Sequence, residues 1–221
     1  MVERPASPEK LVIVGPAGVL EALAAVPAGF DGARAAVVCH PHPLHGGTMH
    51  NKVVHTLART FEELGLATVR FNFRGVGSSK GVFDDGPGET EDARAVCNWT
   101  RERWGVRELW LAGFSFGAFV ATRLAAEKNQ TLPVGCLVTV APPARRFQDP
   151  AWVRPGCRWL IVHGDEDDLV DVEDVRRWVA RMEPPPQLTV LEGVDHYFHG
   201  RLHELKDLLH SQLAGRQPGA A

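Results

Sequence analysis

The chain lacks any apolar run of the roughly 18 to 20 residues that a bilayer-crossing helix needs; its longest, around Leu109 to Ala121 and Val134 to Pro143, stop short, so no membrane span is expected. It also lacks an excess of either charge. Lysines and arginines number 24 against 27 aspartates and glutamates, a formal net charge of −3, and this leaves no basic field to draw in nucleic acid or anionic lipid. Small molecules are the expected partners, and the oligomeric state is open. Only four cysteines occur, Cys39, Cys97, Cys136 and Cys157, with no CxxC pair; they point to buried free thiols in a reducing cytosol. The segment from Met1 to Lys10 is charged and contains proline with no apolar core behind it, so a secretory signal is not expected and the chain reads as cytoplasmic.

Repeats and low-complexity linkers are missing too, and 44% hydrophobic with 23% charged residues excludes a disordered, collagen-like or coiled-coil chain. At 221 residues the sequence suits one domain, with an ordered core expected over about 8–214. What is present is an alternation of extended and helical signals. Eight β-rich runs occupy 10–14, 19–25, 33–39, 67–73, 108–112, 135–140, 158–162 and 187–191. Helical spacing links Val53, Val54, Leu57, Phe61 and Leu64, then Val172, Val175, Trp178, Val179 and Met182, and finally Leu202, Leu205, Leu208, Leu209 and Leu213. Several runs are apolar on both faces, as in central strands of a parallel sheet covered by helices on each side. The first two runs are joined by Gly15-Pro16-Ala17-Gly18 and should form an antiparallel hairpin at the N-terminal edge. The fold class is therefore α/β, mostly parallel, and ligands are expected beyond the carboxyl ends of the strands.

One of those ends carries Gly113-Phe114-Ser115-Phe116-Gly117, followed by a helical run over 118–128. GxSxG between a strand and a helix is a sharp turn that projects the serine hydroxyl, with glycines where the helix packs close to neighbouring strands. A serine hydroxyl is a poor nucleophile until a base removes its proton, and that base needs an orienting carboxylate. Two later strand ends supply candidates: His163-Gly164-Asp165-Glu166-Asp167-Asp168-Leu169-Val170, and Gly193-Val194-Asp195-His196-Tyr197-Phe198. In the first, Asp165, Glu166, Asp168 and the nearby Asp171 compete with Asp167, and spacing does not choose among them. Asp195 is adjacent to His196 and so a poor orienter; it reads as a loop-shaping aspartate.

At these residues the sequence resembles the α/β-hydrolase superfamily over nearly its whole length. GFSFG looks like the nucleophile elbow, HGDEDDLV is similar to the family's HGxxDxxV acid loop, and GVDHYF looks like its GxxHxF loop. The stretch from His40 to Val54, HPHPLHGGTMHNKVV, resembles the HPHPxxGGTMxNKVV string of small capless bacterial hydrolases of carboxylesterase or dienelactone-hydrolase type. The resemblance implies a cofactor-free serine esterase with Ser115 as nucleophile, Asp167 as acid and His196 as base. It places the oxyanion hole at the amides of Phe116 and His42, the Leu44 amide being the other possible donor. Leu44, Met49, Phe114 and Tyr197 are candidate substrate-binding residues, and Asp171 stands where the acid loop often has proline.

The short connection over 141–157 leaves no room for a helical cap, so an open site suited to short acyl esters is expected. Other readings stand beside this one. The same triad would serve a thioesterase, amidase or peptidase; His40, His42 and His45 form an HxHxxH string of the kind that binds metal; and a catalytically silent binding protein can share the fold. Arg74, among glycines, reads as a loop-pinning residue rather than a carboxylate binder, and His163 as an anchor of the acid loop.

Overall fold

The structure, a computed structural model, describes residues 8–127, 133–147 and 152–214. Its eight strands are β1 (Glu9–Gly15), β2 (Gly18–Ala25), β3 (Arg34–Cys39), β4 (Ala67–Phe71), β5 (Glu108–Phe114), β6 (Val134–Val140), β7 (Arg158–Gly164) and β8 (Gln187–Leu191). They form one sheet in the order β1-β2-β4-β3-β5-β6-β7-β8, parallel from β4 to β8, with β1 and β2 antiparallel at the edge. This is the arrangement expected of an α/β-hydrolase, and among the described residues there is no separate cap domain. The expected hairpin is present, with Gly15 facing Gly18. The fourth strand stops two residues early because Asn72 and Phe73 turn their polar groups to other loops: the Asn72 side chain binds the Met49 amide, and the Phe73 amide binds His40.

Helices cover both faces. On one side lie α1 (Lys52–Glu63) and α5 (Leu202–Leu213), which bury Val53, Leu57, Phe61, Leu205 and Leu209 against β3, β5, β6 and β7. On the other lie α2 (Pro87–Trp104), α3 (Phe116–Ala125) and α4 (Val172–Val179). Each fully buried Leu, Phe or Val side chain contributes about 1.5–3 kcal/mol relative to exposure, so the two apolar layers hold the helices to the sheet. The helix starts are chemically marked. Asn51 caps α1 by accepting from the Val53 amide at 2.9 Å, and Asp171 caps α4 through the Glu173 amide at 2.8 Å. The aspartate that stands in place of proline thus begins the helix after the acid loop. The predicted helical run after Ser115 is α3; Lys128, its expected end, lies outside the described residues. Between β6 and β7 the described residues hold only the 3₁₀ turn Ala144–Phe147 and an irregular approach to β7.

Candidate active site

Ser115 sits between β5 and α3 with φ 53° and ψ −117°, a left-handed backbone that a side-chain-bearing residue adopts at a cost of about 1–3 kcal/mol. Two features hold it there. Its amide donates to the Val140 carbonyl at 2.9 Å, tying the turn to the end of β6. A Cβ at Gly113 would lie 2.1 Å from the Gly117 carbonyl oxygen, and one at Gly117 would lie 2.3 Å from that of Cys39, so only glycine allows the turn to close against β3. The hydroxyl is left half-buried at the carboxyl edge of the sheet.

The structure brings His196 and Asp167 to it. The Nε2 of His196 is 3.1 Å from the Ser115 Oγ, and its Nδ1 is 2.7 Å from Oδ2 of Asp167. Asp167 is the carboxylate that faces the imidazole; its Oδ1 also accepts from the amides of Leu169 at 2.9 Å and Val170 at 2.8 Å. Burial opposes its charged form, but the hydrogen bond and charge of His196, the Val170 amide and His163 together outweigh that and hold its pKa below the ordinary value. Three of the other acidic residues have partners of their own. Asp165 accepts from the Gly193 amide at 2.7 Å, Asp171 caps α4, and Asp195 binds the His199 amide and ring, the loop-shaping role expected of it.

The loop after β3 lies against the start of α3. The His40 ring is fully buried: its Nε2 accepts from the Phe73 amide at 3.0 Å, which puts its proton on Nδ1, 2.6 Å from the Pro41 carbonyl. His42 caps a 3₁₀ turn (Pro43–His45), takes the Leu44 amide on its Nδ1 at 3.3 Å, and rests its ring 5.1 Å from that of Phe116. With both His40 nitrogens engaged, HxHxxH is not a ligand set, and among the described residues no group of three His, Cys, Asp or Glu side chains could hold a metal ion.

Two candidate substrate-binding residues need correction. Phe114 is fully buried, with its ring 5.1 Å beneath the imidazole of His196, so it supports that ring from the core. Met49 is 2% exposed; its amide binds Asn72, and it faces a cavity of about 320 Å³ beside the β1–β2 hairpin whose walls include none of Ser115, Asp167 and His196. Both are apolar residues near strand ends that the core absorbs. Leu44 and Tyr197, by contrast, are 71% and 46% exposed on loops next to the site. Phe83 escapes a sequence reading altogether: it packs 4.9 Å from His42 and 5.6 Å from Phe116, yet it is a lone aromatic in an irregular segment with no period to reveal it. Arg74 makes a two-pronged ion pair with Asp92 at 2.8 and 3.0 Å, the loop-pinning role expected of it.

A profile of the alpha/beta hydrolase fold matches residues 44–156, just over half of the chain. The chain belongs to the alpha/beta hydrolase family. This alpha/beta hydrolase is 32% identical over 208 residues to an uncharacterized protein of Rickettsia prowazekii, covering 90% of this chain and 86% of that protein. Among solved structures it is similar to an alpha-beta serine hydrolase homologue from Coxiella burnetii, 45% identical with a TM-score of 0.87 over 96% of this chain and 100% of that one. It is also similar to a serine hydrolase without lid from Xanthomonas campestris, 40% identical with a TM-score of 0.88 over 99% of each chain. The alpha/beta hydrolase fold and these serine hydrolase relatives support a hydrolase. Among the described residues no helix is long and apolar enough to cross a membrane.

Proposed function

We propose that this hydrolase cleaves small or short-chain carboxylic esters through an acyl-enzyme, without a cofactor. One observation carries the reading: the uninterrupted line from the Ser115 hydroxyl through His196 to Asp167, with contacts of 3.1 and 2.7 Å. His196 takes the Ser115 proton as the oxygen attacks the ester carbonyl, then gives that proton to the departing alkoxide as the C–O bond breaks. Water, deprotonated by His196, attacks the acyl-serine, and the acid leaves as the proton returns to Ser115. Asp167 holds the imidazole in the tautomer that presents Nε2 and stabilises the imidazolium.

Two amides serve the oxyanion. Phe116 is the first residue of α3, so its N–H has no intrahelical acceptor and lies at the positive end of the helix dipole. Because a trans peptide turns its C=O and N–H in opposite directions, the Pro41 carbonyl bound to His40 directs the His42 N–H away from that buried ring. The Leu44 amide is engaged by the His42 ring, which favours His42 as the second donor. Each donor contributes about 3–4 kcal/mol to the transition state.

The lack of a cap among the described residues and the exposed Leu44 and Tyr197 support a shallow site for short acyl groups, and the four free cysteines, three of them buried, support a cytoplasmic setting. The test is labelling with a fluorophosphonate, then a panel of p-nitrophenyl esters graded by acyl length, with a thioester and an anilide beside them. We expect stoichiometric labelling of Ser115, fastest turnover at short acyl chains, and a fall in kcat on the order of 10⁴-fold or more in Ser115→Ala with no change in unfolding midpoint. A Ser115→Ala protein that kept its esterase rate would overturn the assignment; a thioester or anilide turned over faster than every ester would reassign the substrate class.

A further inference from the structure

The His163 ring is fully buried at the end of β7, and its Nδ1 has no hydrogen-bond partner among the described residues. A buried, unpaired polar atom is destabilising, so a ring needed only for its volume would be better served by an apolar side chain. The other nitrogen is occupied. Nε2 lies 2.9 Å from the Val170 carbonyl and 3.5 Å from Oδ2 of Asp167, the same oxygen that binds His196. A carbonyl only accepts, so Nε2 carries a proton, and burial, which lowers the pKa of the ring, favours its neutral form. The contact to Val170 is a full hydrogen bond, whereas 3.5 Å to Asp167 is too long to be one. Val170 is thereby held at both ends: its carbonyl by His163, its amide by Oδ1 of Asp167 at 2.8 Å.

We propose that His163 is a positioning residue: through Val170 it fixes the Asp167 carboxylate at the distance and angle that His196 requires. The inference rests on the assignment of Ser115, His196 and Asp167 made above. The bond from Nε2 to Val170 closes a ring of contacts that runs from the last residues of β7 through Val170 to Asp167. Without it the acid loop keeps its backbone bonds to the neighbouring loop at Asp165 and Glu166 but loses the tie that joins the Val170 carbonyl to the end of β7. Asp167 acts on the charge that His196 acquires as the reaction proceeds, so loosening it lowers kcat and leaves ester binding alone.

The test compares three variants of the full chain on one p-nitrophenyl ester: His163→Gln, whose amide nitrogen reaches the Nε2 position; His163→Asn, whose amide reaches only the Nδ1 position; and His163→Phe, which fills the volume. We expect kcat to fall on the order of 10- to 100-fold in His163→Phe and His163→Asn at unchanged KM, and to recover most of the way in His163→Gln. If the Phe variant does not fold, the Gln and Asn pair decides alone, since both keep a polar amide and differ in which nitrogen position it reaches. A Phe or Asn variant with normal kcat, or a Gln variant no better than Asn, overturns the proposal. Ser115→Ala separates the two layers: an active Ser115→Ala protein defeats the catalytic assignment itself, while an inactive one beside an unimpaired His163→Asn defeats the positioning role alone.

Discussion

Both nitrogens of the fully buried His40 ring are bound to backbone groups, and burial lowers its pKa from the ordinary 6.5 to about 4 despite the favourable bond to the Pro41 carbonyl. Folded His40 is neutral between those values while unfolded His40 takes up a proton, so the stabilisation present above pH 6.5 is lost as pH falls toward 4. For this one group the loss is about 3 kcal/mol. Urea unfolding followed from pH 7 to pH 4 should therefore show a flatter decline for His40→Gln than for the parent; equal slopes would deny the burial of a neutral ring. At this scale the sequence was legible unevenly. Ser115 could be read because the elbow's backbone demands flanking glycines, which leave a mark in the string. Asp167 could not be told from its acidic neighbours by spacing, because what selects it is the direction of a side chain across two loops. Phe114 and Met49 were misplaced for the same reason: type and position put them near the site, but orientation turns them into the core.

Helix α2 is the element that its own pattern conceals. Its buried face includes Gly88, Glu89, Thr90, Asp92 and Thr100 beside Ala93, Val96 and Cys97, so an apolar stripe of helical period never forms. The buried polar groups are satisfied individually: Glu89 accepts from the amides of Asp84 and Gly86, and Asp92 accepts from the backbone and guanidinium of Arg74. Asp92 is fully buried, and breaking such a pair leaves a desolvated carboxylate without a partner. Arg74→Leu should destabilise the fold by about 3–5 kcal/mol in urea unfolding, and Arg74→Lys, lacking the fork, should recover only part of it. The same variants should leave KM for anionic and neutral esters in the same ratio, whereas a carboxylate-binding Arg74 would change it. The amphipathic helices α1, α4 and α5 were legible from periodicity because their buried faces are apolar.

Across the whole molecule, the sheet gathers residues distant in the chain: Ser115 follows β5, Asp167 follows β7 and His196 follows β8, with β6 between the first two. Strand number follows from the eight β-rich runs, the hairpin edge from the Gly15–Gly18 turn, and the parallel centre from runs apolar on both faces, all of them local properties of the string. The order of strands does not, since it depends on which crossovers the twisted sheet permits. None of this relies on covalent cross-links. All four cysteines are free, and burial raises the thiol pKa of Cys136 to about 12 and of Cys39, Cys97 and Cys157 as well, so they are poor nucleophiles toward one another. The thermal unfolding midpoint should be the same with and without dithiothreitol; a drop on reduction would reveal a cross-link absent from this arrangement.

The acid and base loops are joined to each other more firmly than either is to the serine. Asp165 binds both the Leu191 carbonyl and the Gly193 amide, the Glu166 amide binds the Val194 carbonyl, and a Cβ at Gly164 would come within 2.0 Å of that same carbonyl oxygen. Imidazole and carboxylate thus ride on one cassette, assembled at the sheet's far flank whatever residue occupies position 115. In the mechanism proposed above, the proton relay is therefore assembled independently of the atom it serves.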